Sequence, residues 1–181
     1  MGRKGPAKIS ARYLQWVTTQ YLGRYSSSEA NLRRLLNQRV YRSARHHDVD
    51  EEPWKKLVDA EIGRLIRVGH LDDARYAYEK ARSLHRRGNS GRAIRSKLAA
   101  KGVPTVRIDE ALNQLGQDGP DLEIEAALTF ARKRRLGPWA RERTDDWEQR
   151  KKDMGRFARA GFSFDIAARV LDAEDEEAAR Q

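Results

Sequence analysis

Leu98-Ala99-Ala100-Lys101-Gly102-Val103 and Phe157-Ala158-Arg159-Ala160-Gly161-Phe162 align without a gap. In each, a bulky apolar residue is followed by a small or basic stretch, a glycine and a second apolar residue. Ile94 leads into the first copy and Met154 into the second. Beyond the glycine, Ile108 and Leu112 answer to Ile166 and Val170. The pattern describes a helix with one apolar face, a glycine stop and a second amphipathic helix. A fainter copy lies in Leu32, Leu35, Leu36 and Val40, with Arg39 where the glycine would stand. A helical unit used repeatedly implies an array, and helical arrays bind other macromolecules.

Working outward, Ser10 is placed to cap a first helix carrying Tyr13, Leu14, Val17 and Tyr21. Ser26-Ser27-Ser28-Glu29 fits a capping box with Ser26 as the cap. The polar stretch Ser43–Glu52 reads as a loop, and Pro53 suits a first helical turn. Trp54, Leu57, Val58, Ile62, Leu65 and Ile66 form the strongest apolar stripe, ended by Gly69. A second group opens at Leu71-Asp72-Asp73 and turns Ala74, Ala77, Tyr78, Ala81 and Leu84 inward. Gly88-Asn89-Ser90-Gly91 is a turn, and Gly116 to Gly119 a break. The last group carries Ile124, Ala127, Leu128 and Ala131, stops at Leu136-Gly137-Pro138, and continues through Trp147 and a Ser163 cap. No stretch alternates with period two. The expected fold is all-α, about nine helices in three tandem three-helix repeats, longer than a sphere of equal mass. The expected boundaries are a disordered basic N-terminus over 1–8, repeats over 9–70, 71–116 and 117–172, and a disordered acidic tail over 173–181.

The chain of 181 residues is 35% charged with a formal net charge of +10, which points to a polyanion or an acidic protein surface as partner. With no cysteine, disulfides and thiolate metal sites are excluded. No apolar run approaches the roughly 18 residues of a membrane span. The N-terminus has no apolar signal core after Arg3 and Lys4, and Pro6 spoils a myristoylation motif at Gly2. A soluble cytoplasmic protein with no membrane association is expected.

Chemistry is sparse. No phosphate loop is present. His46 and His47 are adjacent and point apart, while His70 and His85 stand alone. We therefore expect no catalytic residues, no cofactor and no metal site. Asp72-Asp73 and Asp145-Asp146 stand where helices begin and read as caps. The basic residues carry more. Helical spacing puts Arg75, Arg82 and Arg86 on one stripe beside the alanine face, Arg87 extends it, and Arg92 and Arg95 lie off the Ile94/Leu98 face. These six form a candidate docking stripe for phosphates or carboxylates. The competing reading is neutralisation, with Glu79 within helical reach of Arg75 and Arg82. Arg132-Lys133-Arg134-Arg135 is a second cluster, explained equally by a helix C-terminus. A helix-turn-helix with Thr105 to Gln114 as recognition helix would aim Arg107 and Asn113 at bases. The same pair at Phe157 to Val170 would aim Phe164 and Asp165, which suits DNA poorly.

Leu71-Asp72-Asp73-Ala74-Arg75-Tyr76-Ala77, Arg92-Ala93-Ile94, Leu98 to Gly102 and Gly161-Phe162-Ser163 together resemble the RecX regulatory protein family, over about Tyr13 to Leu171. The resemblance implies an elongated, curved array of three-helix repeats. It also implies a modulator, usually inhibitory, of the RecA recombinase, acting on RecA and on RecA–single-stranded-DNA filaments. Filament growth, ATP hydrolysis and strand exchange would be limited in recombination and DNA repair. The implied partners are RecA and the RecA–DNA filament; single- or double-stranded DNA is a further expected partner, and the chain is expected to be a monomer. The alternative is a helix-turn-helix-like protein acting on DNA directly, without RecA. Departures from the family pattern are Arg39, the polar insert near His46 and His47, and the acidic tail.

Overall fold

A computed structural model describes residues 5–117, 121–140 and 147–181. Among them are nine α-helices and no strand: α1 Ala11–Leu22, α2 Glu29–His47, α3 Glu52–Arg67, α4 Asp73–His85, α5 Gly91–Ala99, α6 Thr105–Gln117, α7 Leu122–Arg134, α8 Trp147–Ala160 and α9 Phe164–Asp172. The fold is all-α, as expected. Two compact units result, one running to Tyr76 and including Lys101–Pro104, the other comprising Ala77–Ala100 and Thr105–Gln181. This division does not follow the expected repeat boundaries, because residues 71–116 are shared between the two.

In the first unit α1 begins at Ser10, whose hydroxyl accepts from the Tyr13 amide. Leu14 and Val17 of α1, Leu32, Leu36 and Val40 of α2, and Val58, Ile62 and Leu65 of α3 build the core. The strong stripe on α3 is mostly as read, although Ile66 is exposed. Two local readings are corrected. The cap of α2 is Ser28 rather than Ser26, accepting from the Asn31 amide. The loop expected from Ser43 is helix as far as His47. Ser43 and Ala44 are buried, and the Ser43 hydroxyl donates to the Ala7 carbonyl at 2.8 Å, so polar composition there served packing. Arg39 is an exposed residue inside this long helix, and no glycine break occurs. The His47 ring meets the Pro6 carbonyl at 3.0 Å. Pro6 and Ala7 are thus tied to α2, while residues 1–4 of the expected disordered start lie outside the described residues.

One carboxylate is inside this unit. Glu61 is 4% exposed, accepts from the Thr18 hydroxyl at 2.7 Å, and holds both forks of Arg64 at 2.8 Å. Burial alone pushes its carboxyl up, but Arg64 and Thr18 outweigh burial and hold it below the ordinary glutamate range.

The second unit has its core in Ile124, Ala127, Leu128 and Ala131 of α7, Phe157 of α8, and Ala167 and Val170 of α9. Phe130, Phe157 and Phe162 pack mutually at 5.1–5.6 Å between centroids, with tilted or edge-on rings that align ring edges with π faces. Leu98 and Phe157 are both fully buried, and Val103 and Phe162 nearly so. Past the glycine the register holds without a slip. Ile108 and Ala111 are buried where Ala167 and Val170 are, so the buried partners are not Leu112 and Ile166. The tail expected to be disordered instead returns to α7. Ala173 and Ala179 are buried, and Arg180 pairs with Glu125 and Glu176 at 2.5 Å each. Among its acidic residues Glu176 is matched by Arg132 and Arg180, which composition alone does not reveal.

A single joint recurs in both units. In the first, the Ser28 hydroxyl donates to the Lys101 carbonyl at 2.5 Å, and the Glu29 amide donates to Asp73 at 2.8 Å. In the second, the Ser90 hydroxyl donates to the Ala160 carbonyl at 2.7 Å, and the Gly91 amide donates to Glu123 at 3.0 Å. The carbonyl in each case precedes a left-handed glycine, Gly102 at φ 73° and Gly161 at φ 90°. A Cβ on Gly102 would fall 2.5 Å from the Ala30 Cβ, and one on Gly161 2.7 Å from the Ser90 hydroxyl.

Gly161→Ala should therefore cost at least the roughly 1–3 kcal/mol of left-handed strain. Leu98→Ala and Phe157→Ala should each cost about 2–5 kcal/mol by urea unfolding. Wild-type midpoints in these variants would break the equivalence of the two copies. A depressed Glu61 pKa stabilises above the unfolded glutamate value, and that stabilisation is lost as pH falls through the folded value. Urea midpoints from about pH 7 down to about pH 3 should fall more steeply for the wild type than for Glu61→Gln. Equal slopes would mean that the carboxylate contributes no ionised pairing.

Candidate functional site

The six stripe arginines are all exposed, but they differ in what holds them. Arg75, in the first unit, donates to the Gly69 carbonyl at 3.0 Å. The others lie in the second unit. Arg82 and Arg86 are one turn apart, on α4 and just past its end. Arg87 follows, and Arg92 and Arg95 are on α5. Arg95 is paired with Asp109. Arg82, Arg86, Arg87 and Arg92 have no ion pair among the described residues, and Glu79 pairs with neither Arg75 nor Arg82 there. Neutralisation by Glu79 is thus not what the geometry displays. Guanidinium groups exposed and unpaired in this way are free to offer forked donors to phosphate or carboxylate.

The backbone under them is held firmly. The chain leaves α4 through Arg87 and Gly88 amide bonds to Leu84 and His85 at 3.0 and 2.7 Å, and Asn89 returns its side-chain amide to Leu84 at 2.7 Å. Ser90 then caps α5 through the Ala93 amide at 3.1 Å. The turn is pinned to α7, since the His85 ring meets the Leu122 carbonyl at 2.8 Å. The Lys133 ammonium donates to the Arg87 carbonyl at 3.0 Å. That contact adds a fifth cation, which sequence spacing placed in a separate cluster. Only the fold brings positions 87 and 133 together. Two of the remaining three basic residues of that cluster are engaged differently, Arg132 with Glu176 and over the Trp139 ring, Arg134 over Phe130.

Other candidates fare less well. On α6, Arg107 pairs with Glu110 at 2.8 Å, so the group that would read bases is already opposed by a carboxylate. Phe164 at the start of α9 is 71% exposed, with Asp165 beside it in the first turn. Asp72 caps α4 through the Arg75 amide at 3.0 Å, whereas Asp73 serves the first amide of α2. Asp145 and Asp146 lie outside the described residues. Among the described residues no group of three or more His, Asp or Glu is placed to hold a metal ion, and no helix is long and apolar enough to cross a membrane.

Residues 72–112 match the family described as RecX, second three-helix domain. A protein named Regulatory protein RecX from Myxococcus xanthus is 38% identical over 175 residues, covering 94% of this chain and 90% of its own. A namesake from Agrobacterium fabrum is 32% identical, covering 98% and 93%. Two crystal structures share the fold. That of a regulatory protein RecX has a TM-score of 0.64 at 22% identity, covering 90% of this chain and 72% of that one. That of RecX from Lactobacillus salivarius has a TM-score of 0.65 at 18% identity, covering 91% and 96%.

Because Arg86, Arg87 and Arg92 are exposed and unpaired, reversing all three to glutamate should change stability by no more than about 0.5 kcal/mol per site. Urea unfolding checks this. A larger loss would show that the arginines serve the fold.

Proposed function

The chain belongs to the RecX family of regulatory proteins, and on that premise we propose that it acts on the RecA recombinase. It binds RecA and RecA–single-stranded-DNA filaments and restrains filament growth, ATP hydrolysis and strand exchange. The observation that carries the reading to particular residues is the set of exposed, unpaired guanidiniums of Arg82, Arg86, Arg87 and Arg92, joined by Lys133 at the Arg87 carbonyl. A filament offers both nucleic-acid phosphates and acidic protein surface, and rigidly held cations suit either. The names of the relatives are those of regulators rather than enzymes. We place the protein with its partner in the cytoplasm, acting as a monomer.

The test is the rate of RecA ATP hydrolysis on single-stranded DNA with this protein at substoichiometric ratios. The wild type should depress the rate well below strand coverage, and a variant with Arg86, Arg87 and Arg92 reversed to glutamate should do so weakly. The difference should be largest at low salt, where unscreened charge counts most. Inhibition only at ratios that cover the strand would point to simple competition for DNA. Full inhibition by the folded variant would move the docking surface away from this stripe.

A further inference from the structure

The net charge is unevenly distributed. Residues 1–47 hold ten Lys and Arg against the one carboxylate of Glu29, a net of nine positive charges. Glu29 is itself paired with Arg33 at 3.1 Å. Helix α1 has no acidic residue at all. Residues 75–101, which carry the stripe, are also basic, with nine Lys and Arg against Glu79, so α1 and α2 carry a second, separate basic stretch.

On that basic surface stands an aromatic pair that the core does not use. Trp16 is 60% exposed. Its ring lies 6.3 Å from that of Tyr13, one helical turn back, at an interplanar angle of 29°. The Arg39 guanidinium donates to the Tyr13 hydroxyl at 3.2 Å. Tyr13, Gln38, Arg39 and Arg42 line a cleft of about 300 Å³ walled on one side by Pro6 and Ala7. Arg12, one turn before Trp16, is exposed, and neither it nor Arg39 nor Arg42 has an ion pair among the described residues.

We propose that Trp16, Tyr13, Arg39 and Arg42 form a base-stacking site for single-stranded nucleic acid on the first unit. Every base has a π face, and an exposed indole beside a phenol inclined by 29° offers an apolar platform to it. The neighbouring guanidiniums supply phosphate contacts and can stack on bases themselves. An acidic peptide would satisfy the arginines and leave the indole without a reason to face solvent. A duplex keeps its base faces stacked internally and has none to offer. The site needs no recombinase, so it stands or falls separately from the filament reading.

Fluorescence anisotropy of a labelled oligodeoxythymidine of about twelve nucleotides, with no recombinase present, tests it. Trp16→Ala should weaken binding about tenfold, within the range for one stacked base. Trp16→Phe should keep most of the affinity, and Arg39→Glu with Arg42→Glu should abolish it at moderate salt. Circular dichroism checks that each variant is folded, and Trp16 is exposed enough to be removed without loss of core. Indole fluorescence should be quenched by the oligonucleotide in the wild type more than in Trp16→Phe. Equal affinity of wild type and Trp16→Ala would overturn the proposal. So would displacement by duplex of the same length, or by polyglutamate, as effective as displacement by the single strand.

Discussion

A serine oxygen that makes two hydrogen bonds at once sets the positions of the rest. Ser28 and Ser90 each accept a backbone amide of their own helix and donate to the carbonyl before a left-handed glycine. A hydroxyl has capacity for both. The arrangement satisfies an orphan donor at the start of one helix and an orphan acceptor at the end of another. It also brings backbone so close that Gly102 and Gly161 have no room for a Cβ. Asp73 and Glu123 complete it by accepting the first amides of α2 and α5. The entry angle of α5 follows from this joint, and with it the placement of Arg87 and Arg92 on either side of Ser90.

The repeat was legible because its apolar residues and glycines are spaced by the helix period and by the stop that ends it. Leu98 and Phe157 are where alignment puts them, and both are fully buried. Register beyond the glycine was harder, since Ile166 is larger than Ala167 and more apolar, yet Ala167 faces the core. Size and polarity misled in the same way at Ser43, a buried residue whose hydroxyl finds a carbonyl thirty-six positions away. The tail after Asp172 looked like solvated charge because its partners, Arg132 and Glu125, are distant in sequence. Lys133 beside Arg87 is the same case at the site. Exposure of the arginines was legible from the helical wheel. Their freedom from Glu79 was not, because a carboxylate within helical reach is free to point elsewhere.

The two basic surfaces differ in kind. On the second unit, Arg82, Arg86, Arg87, Arg92 and Lys133 are charges on a firmly held turn and the helices beside it. Such a surface suits recognition by position and sign, where cations meet phosphates or carboxylates fixed by a partner's own architecture. On the first unit, Arg39 and Arg42 line a cleft with Tyr13, which stacks with the exposed Trp16, a combination that adds flat apolar faces to positive charge. Under the proposed filament reading, the first kind of contact serves the assembled polymer and the second serves exposed strand.

The most direct measurement of the central claim is hydrogen–deuterium exchange of the chain alone and with a RecA–single-stranded-DNA filament. Exchange reports each amide separately and does not presuppose which residues dock. Docking through the second unit would add protection from Arg82 through Arg95 and at the C-terminal end of α7 around Lys133. Protection confined to α6 around Arg107, or none anywhere in the second unit, would contradict it.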